Sequence, residues 1–455
     1  MKKNDIINVD IVDIGINGEG IAKQDNIVIF IPFALLGENI DAHILKVNKK
    51  IAFAKIKQIN KPSPTRCNAI CPYFTKCGGC EMQHIKYSEQ LKIKTQTVKT
   101  AFKKYARTSI DVLPCVASDN IFSYRNKMQY PCTPKGIGMY AKNSHNLIDI
   151  ANCPLSKPLC AKAYEIFREF ALKNNLSFYN EHTHSGLVRN AMFREANTNI
   201  AICIVINGKK IEQIDKLIEL YKKEFKDNFS LYYNINTEKT NTILSNNTIC
   251  VYGKDKLKML DFGVTYYISP NSFMQINDQI QNAIYTKVLD NISPNDIIIN
   301  AYSGAGLLSA ILSKKAKTVY GIEIVKVASE NADFLKQINK IQNMQNICGD
   351  CAIVLPKLIQ NLDKTLNTTL VLDPPRKGCE KNIIDAIKSA KINKIIYISC
   401  NPATLARDVS FLLDDYNIRL VQPYDMFPQT KHVETVAILE KIRSKKCIQN
   451  PLKKL

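Results

Sequence analysis

The chain has 455 residues, enough for two to four domains, with ordinary hydrophobic (45%) and charged (23%) contents for a soluble globular protein. Its charge is unusual, because 62 Lys and Arg against 41 Asp and Glu give a net charge of +21. Such a surplus favours a polyanionic partner, either nucleic acid or an anionic membrane surface, although a generally basic proteome would also produce it. The N-terminus lacks the apolar run of a signal peptide, and the longest apolar run, residues 27–36, contains a proline and is too short to span a bilayer. We therefore expect a cytoplasmic protein with no membrane span.

Residues 1–60 predict a small domain of short strands. Polar and apolar residues alternate in five runs, which are separated by turns at glycines, and no helical period is present. This pattern predicts a small antiparallel β-barrel of the OB type, followed by a linker in the sequence NKPSPTR.

A cluster of cysteines follows this linker. The chain has 15 cysteines, which we expect to be reduced in the cytoplasm, so clustered ones indicate a metal site or catalysis rather than disulfides. Cys71, Cys77 and Cys80 lie around a Gly-Gly turn, and Cys153 could supply a fourth thiolate. Four thiolates suit either zinc or an iron–sulfur cluster, and the Cys-Pro pairs at 71 and 153 favour iron–sulfur. Cys67 lies just upstream.

The sequence pattern of the remaining chain changes near residue 290. A helical stretch is predicted from Ser88 to Tyr105, and residues 110–285 mix strands, helices and basic–aromatic groups such as YRNK at 124–127, suited to phosphate contact and base stacking. From about 290 onward, short and almost wholly apolar strands alternate with helices. This alternation is typical of a parallel sheet covered on both faces, so the fold class is α/β.

The first of these strands leads into a candidate cofactor loop. Gly304 and Gly306 allow a ligand to approach the backbone at the start of a helix, and Glu323 ends the next strand, where a carboxylate can bind both ribose hydroxyls. The six-residue dinucleotide fingerprint is not completed, so S-adenosylmethionine fits better than NAD. Asp350 ends a further strand and could reach the adenine edge.

Two polar groups follow later strands of the same sheet. Asp373 precedes two prolines, and Cys400 follows the apolar run IIYIS. A thiolate that adds to C6 of a pyrimidine makes C5 nucleophilic enough to accept a methyl group, and a base must then remove the C5 proton. His432 and Glu434, at the start of the last predicted strand, are the candidate bases.

The whole chain resembles the bacterial RNA uracil-5-methyltransferases, in particular the 23S rRNA branch with a TRAM domain and an iron–sulfur cluster. The resemblance is carried by GINGEGIAKQDNIVIFIPFALLGE, CPYFTKCGGCEMQH, YRNKMQY, SPNSFMQIN, AYSGAG, LDPPRKG, SCNPATLARD and HVETVAIL. It implies three domains: an RNA-binding TRAM barrel (1–60), a central α/β RNA-binding domain with the cluster (61–285) and a Rossmann-like class I methyltransferase domain (286–455).

The resemblance also implies roles for individual residues. Cys400 becomes the nucleophile and Glu434 the base. The implied cofactor-binding residues are Gln275, Tyr302, Glu323 and Asp373. The residue pattern adds Gly304, Gly306 and Asp350. The implied ligands of a [4Fe-4S] cluster are Cys71, Cys77, Cys80 and Cys153, with Cys67 left out. Where the family usually has an aspartate and a cysteine, this chain has Asn300 and Ser303. Leu307 can contact a cofactor only through its backbone. These departures affect the expected cofactor contacts.

The expected activity is therefore methylation of uridine C5 in 23S rRNA by a monomeric cytoplasmic enzyme that takes S-adenosylmethionine. Other possibilities are a tRNA uracil-5-methyltransferase, a cytosine-5-methyltransferase and a non-catalytic iron–sulfur protein that binds RNA. The bacterial tRNA enzymes typically lack both the barrel and the cysteines. The cytosine enzymes usually have Pro-Cys or Thr-Cys at the nucleophile, whereas this chain has Ser-Cys-Asn-Pro.

Overall fold

The structure is a computed structural model that describes residues 1–15, 18–363, 365–390 and 392–442. The chain divides into two compact units. The first contains Met1–Thr97, Cys115–Ala283 and Asp425–Val433. The second contains Val98–Pro114, Ile284–Tyr424 and the described chain from Glu434 onward. No helix within the described ranges is long and apolar enough to cross a membrane.

The N-terminal residues of the first unit form a six-stranded sheet. Its strands are β1 (Ile6–Asp10), β2 (Asp13–Ile14), β3 (Gly20–Gln24), β4 (Ile27–Ile31), β5 (Asn39–Val47) and β6 (Ile51–Lys61). They lie in the order β1-β5-β6-β4-β3-β2 around a buried aliphatic core. We predicted five antiparallel strands, but the sheet has six, and β4 pairs with β6 in parallel. The segment between β4 and β6 folds into the long strand β5, which pairs with both β1 and β6, so β4 and β6 run in the same direction.

The helix expected after the cysteines is present. Helix α1 (Tyr87–Ala101) continues into a π-helical turn at Phe102–Ala106, and Arg107 ends this turn in the left-handed conformation. π-Helical turns are short and occur inside or at the ends of α-helices. The predicted stretch from Ser88 to Tyr105 therefore contains two kinds of helix.

A seven-stranded sheet forms the rest of the first unit's core. Its elements are β7 (Lys127–Thr133), β8 (Gly136–Tyr140), β9 (Leu147–Asp149), α2 (Pro158–Lys173), β10 (Val188–Ala196), β11 (Asn199–Ile206), α3 (Ile214–Phe225), β12 (Phe229–Ile235) and β13 (Thr248–Tyr252). The strand order is β13-β12-β11-β10-β7-β8-β9, and α2 and α3 contribute side chains to the large buried cluster on one face. A separate hairpin follows, made of β14 (Leu257–Asp261) and β15 (Val264–Ile268).

The second unit is built on another seven-stranded sheet. Its elements are α4 (Asp278–Asp290), β16 (Ile297–Ala301), α5 (Leu307–Ser313), β17 (Thr318–Glu323), α6 (Lys326–Ile338), β18 (Met344–Cys348), α7 (Cys351–Gln360), β19 (Thr368–Leu372), α8 (Lys381–Ala390), β20 (Lys394–Ser399), α9 (Pro402–Ser410), β21 (Tyr416–Tyr424) and β22 (Glu434–Lys441). Helix α4 begins in the first unit and continues into the second.

The order of this sheet, β18-β17-β16-β19-β20-β22-β21, reverses direction at β16. Strands β16 to β20 are parallel, as the apolar runs predicted, whereas β22 is antiparallel to β20. Ligands of open α/β sheets lie beyond the carboxyl ends of the strands, at the point where the strand order reverses. The loops after β16 and β19 meet at that point.

Candidate active site and cysteine cluster

The loop after β16 has the geometry of a ligand cradle. Gly304 has a φ of +56°, and a Cβ built on it would meet no atom within 4 Å. Gly306 has a φ of +83°, and a Cβ there would lie 2.6 Å from Cβ of Ala332 and 3.1 Å from Cε of Met344. Gly306 is therefore required for packing, whereas Gly304 leaves open space beside the backbone.

Carboxylates end the next two strands. The Glu323 side chain accepts hydrogen bonds from the backbone N–H of Gly304 (2.8 Å) and of Val325 (2.8 Å), so it lies directly under the glycine loop. Asp350 caps the N-terminus of α7, because its Oδ1 accepts from the N–H of Ala352 at 2.8 Å. Each carboxylate is held by the backbone at the carboxyl edge of the sheet.

Tyr302 begins the loop with a φ of +64° and is partly buried. Burial and the neighbouring Cys379 thiol raise the pKa of Tyr302, whose hydroxyl hydrogen-bonds to Cys379. Asn300 is 2% exposed, and its amide donates to the Ser309 hydroxyl at 2.9 Å. Its amide is therefore used in packing β16 against α5.

The loop after β19 and the ends of β20 and β22 bring together three of the expected residues. Ser399 of β20 pairs with Thr435 of β22, so Cys400 and Glu434 lie next to each other at the edge of the sheet. The charges of Glu434 and Asp373 both act on the Cys400 thiol. The sequence predicted Glu434 near the start of the last strand, and it is the first residue of β22.

Burial raises the pKa values of all three side chains. Glu434 is 4% exposed, and burial together with the charge of Asp373 raises its pKa well above the usual value. Burial also raises the pKa of Asp373, to about 7. The pKa of Cys400 is raised by burial and by Glu434. A carboxyl group with a raised pKa binds a proton more readily than an exposed one, as a general base must.

Arg376 is a candidate functional residue that our sequence reasoning missed. Its guanidinium hydrogen-bonds to the Cys400 thiol, and its charge lowers the pKa values of Cys400 and Glu434, opposing the effect of burial. The residue follows Asp373 in the segment DPPR, at a solvent-exposed position. An arginine directly after the paired prolines that follow β19 was the available signal.

Two other predictions concern the first unit. Gln275 is partly buried after β15, and its backbone carbonyl accepts from Nδ2 of Asn126 at 2.9 Å. The prediction that YRNK stacks bases is wrong for its tyrosine: Tyr124 is 2% exposed, and its hydroxyl donates to the carbonyl of Pro428 at 3.1 Å. The aromatic ring is therefore part of the buried core of the first unit.

Backbone contacts bring the cysteine loop of the first unit to the segment that precedes Cys153. The N–H of Gly78 donates to the carbonyl of Tyr140 (3.0 Å), and that of Ala151 donates to the hydroxyl of Tyr73 (3.1 Å). A Cβ on Gly78 would lie 3.1 Å from backbone atoms of Lys142, so the close approach depends on a residue without a side chain.

The four expected cysteines are partly buried and influence one another electrostatically. Burial raises the pKa of Cys80 to about 12, with further contributions from Cys153, Cys77 and Cys71. Cys67 is also partly buried, but its thiol donates to the carbonyl of Gln83 at 3.5 Å. Within the ranges that the structure describes, no group of three or more His, Cys, Asp or Glu side chains has an arrangement that could hold a metal ion.

Comparisons with known proteins agree with this geometry. The family described as tRNA (uracil-5-)-methyltransferase matches residues 86–442, and the TRAM domain matches residues 2–57. An uncharacterized RNA methyltransferase of Clostridium tetani is 38% identical, covering 98% of each chain. Another, of Caldanaerobacter subterraneus subsp. tengcongensis, is 36% identical over 95% of this chain and 98% of its own. The structure of the Pyrococcus abyssi tRNA (uracil-54, C5)-methyltransferase in complex with S-adenosyl-L-homocysteine has a TM-score of 0.76 and 27% identity, covering 95% of this chain and 99% of that one.

The reversed parallel sheet, its glycine loop and these relatives define an S-adenosylmethionine-dependent RNA methyltransferase. More specifically, the chain belongs to the RNA uracil-5-methyltransferase family and carries an N-terminal TRAM domain.

Proposed function

We propose that this enzyme methylates C5 of uridine in 23S rRNA, with Cys400 as the nucleophile and Glu434 as the general base. One observation carries the proposal: the pairing of β20 with β22 places the thiol and the carboxyl group side by side at the carboxyl edge of the sheet. A nucleophile and a base must act on adjacent atoms, C6 and C5, of one flipped base.

In the proposed reaction, the Cys400 thiolate forms a bond to C6 and the C5–C6 double bond becomes an enolate. S-adenosylmethionine, when bound, would supply an electrophilic methyl group to C5 and would leave as S-adenosylhomocysteine as its S–CH3 bond breaks. Glu434 then accepts the C5 proton, and the electron pair of that C–H bond restores the double bond as the thiolate leaves. Burial raises the pKa of Glu434, so a carboxylate there holds a proton more tightly than an exposed one would.

The proposed cofactor-binding residues fall into two groups. Glu323 would accept the ribose hydroxyls and Asp350 would reach the adenine edge, on strands that end side by side. The other residues expected to contact the cofactor are Gln275, Tyr302, Gly304, Gly306 and Asp373. Support comes from the open space beside Gly304, which a side chain would fill. Glu323 would exchange one of its backbone hydrogen bonds for a hydroxyl of the ligand.

We further propose that Cys71, Cys77, Cys80 and Cys153 hold a [4Fe-4S] cluster. In the described part of the chain these side chains are not arranged as a metal site, so the proposal rests on their chemistry. Four thiolates are a suitable donor set, and the positive charge of Arg125 acts on Cys77 and Cys153 in the direction that favours thiolates. Burial raises the pKa of these two thiols, so a bound cation is needed to keep them deprotonated. The cluster would organise the loop and its RNA contacts.

The three domains predicted from the sequence have separate proposed functions. Residues 1–60 and 61–285 would bind RNA, and 286–455 would catalyse methyl transfer in a monomeric cytoplasmic enzyme. The net charge of +21 supports phosphate binding, which weakens steeply as salt is added.

The substrate is tested by mapping 5-methyluridine in a strain that lacks the gene. We expect loss of the modification from 23S rRNA, with tRNA unchanged. Loss from tRNA alone would overturn the rRNA assignment while leaving the catalytic residues in place.

A tRNA substrate is the second candidate. It is favoured by the printed description of the matched family and by the tRNA specificity named for the Pyrococcus abyssi enzyme. A non-catalytic RNA-binding protein is disfavoured, because burying the Glu434 carboxyl group costs stability and such perturbed groups cluster at functional sites.

A further inference from the structure

Helix α9, which starts two residues after Cys400, holds the loop that carries Arg376. Nδ2 of Asn401 donates to the carbonyl oxygen of Arg376 at 3.1 Å. The hydroxyl of Thr404 shares its proton between the same oxygen (3.3 Å) and the carbonyl oxygen of Asn401 (3.1 Å). One turn further along the helix, Nη2 of Arg407 donates to the carbonyl of Lys377 at 2.9 Å.

Asp408 completes these contacts from a fully buried position. The residue is 1% exposed, and its Oδ2 accepts from the N–H of Cys379 (2.8 Å) and from the hydroxyl of Tyr397 (2.7 Å). Its Oδ1 accepts from Nε of Arg407 at 2.8 Å. A buried carboxylate is retained only where hydrogen bonds and a cation compensate its lost hydration. Its partners here come from the loop, from β20 and from α9 itself.

The loop also needs a glycine to come this close. Gly378 has a φ of +79°, and a Cβ built on it would lie 2.5 Å from Oδ2 of Asp408 and 2.6 Å from Nη2 of Arg407. The backbone of residues 376–379 is therefore in direct contact with the side chains of α9.

We propose that Asn401, Thr404, Arg407 and Asp408, which we name the α9 clamp, are positioning residues that hold the Arg376 guanidinium against the Cys400 thiol. The inference rests on the proposed function, in which Cys400 is the nucleophile. Arg376 itself is solvent-exposed, so its side chain has no surrounding core to hold it. The loop backbone is instead held at the successive carbonyls of Arg376 and Lys377 by the helix that begins beside Cys400.

The arrangement matters because the thiol lies among opposing charges. Glu434 and Asp373 disfavour the thiolate, whereas Arg376 favours it by charge and by a hydrogen bond. A displaced guanidinium leaves the two carboxyl groups unopposed. The thiolate would then form at a higher pH, and a smaller fraction of Cys400 would be thiolate at neutral pH.

The test measures the rate of Cys400 alkylation by iodoacetamide against pH, followed by mass spectrometry of the peptide that contains Cys400. Thr404→Val removes one donor with little change in shape, and Asn401→Ser removes the other while keeping a side chain that can cap the helix. We expect the double variant to shift the alkylation profile upward in pH and to slow the reaction at pH 7 on the order of tenfold, the effect of one pKa unit on the thiolate fraction. Ser410→Ala is the matched control, because it removes a hydrogen bond within α9, to the carbonyl of Arg407, without touching the loop.

A second comparison separates positioning from general destabilisation. In an Arg376→Gln background, the clamp substitutions should have no further effect on the alkylation profile, because they act through Arg376. In the methylation assay, kcat should fall while KM for S-adenosylmethionine stays unchanged. The inference is overturned if the double variant alkylates as the unmodified protein does, or if its effect persists undiminished without Arg376.

The two proposals fail in different ways. If Cys400→Ser retained methylation, the proposed function would fall whatever the alkylation data showed. If Cys400 proved essential while the clamp variants matched the control, only the α9 clamp would be rejected. A variant that does not fold is recognised by its melting curve, and the single substitution Thr404→Val then decides the outcome.

Discussion

Two glycines of the cofactor loop should respond differently to the same substitution. Both have positive φ values, so an alanine at either position costs about 1–2 kcal/mol in backbone strain. At Gly306 the new methyl group would also lie 2.6 Å from Cβ of Ala332, and such overpacking costs about 1–3 kcal/mol more. At Gly304 the methyl group would enter open space, so no packing cost is added.

We therefore expect Gly306→Ala to lower the free energy of unfolding by about 2–5 kcal/mol, and Gly304→Ala by about 1–2 kcal/mol. For a domain of about 150–250 residues, each kcal/mol corresponds to roughly 2–4 °C in Tm. Gly304→Ala should instead weaken the binding of S-adenosylhomocysteine on the order of tenfold or more, because its methyl group occupies space that the ligand needs.

Differential scanning fluorimetry and isothermal titration calorimetry with S-adenosylhomocysteine measure the two effects without RNA. Equal melting temperatures for the two variants would refute the packing role of Gly306. Unchanged ligand affinity in Gly304→Ala would refute the assignment of the open space to the cofactor.

Three other predictions test separate parts of the site. Glu434→Gln should lower turnover by about 10²–10⁴-fold and accumulate a covalent protein–RNA adduct on denaturing gels, since the C5 proton cannot be removed; rapid turnover without adduct would contradict the base assignment. Burial raises the pKa of Asp373 from 3.8 to about 7, so the folded protein holds this proton more tightly, and the resulting stability is lost as pH rises from about 4 to about 7. Without ligand, the free energy of unfolding should fall over this range by up to about 4 kcal/mol more than that of the Asp373→Asn variant. The same pH dependence in both proteins would contradict the raised pKa of Asp373. Cys80→Ser should lose iron and acid-labile sulfide, whereas Cys67→Ser should retain both; equal iron in the two variants would argue against the ligand set.

The sequence predicted the second unit well because its signals are local. Apolar strands, a glycine loop and polar residues at strand ends each occupy a short window, and the parallel strands β16 to β20 occur where the pattern placed them. Glu434 was likewise recognisable as the start of a strand. Its place beside Cys400 was not, because the pairing of β22 with β20 joins segments separated by a helix and another strand.

Residues whose environment comes from distant parts of the chain were harder to predict. Arg376 looked like a solvated loop cation, and only the folded loop places it at the thiol. Tyr124 looked like an exposed platform beside basic residues, yet it is buried. The parallel pairing of β4 with β6 arises from the path of β5 between them, which alternation of polar and apolar residues does not encode.

The account rests on Cys400 as the nucleophile for uridine in 23S rRNA. The most direct measurement maps 5-methyluridine by mass spectrometry in a deletion strain that carries either the unmodified gene or Cys400→Ser. The account predicts that the unmodified gene restores 5-methyluridine in 23S rRNA and that the serine variant, although folded, does not. Restoration by Cys400→Ser would contradict the central claim.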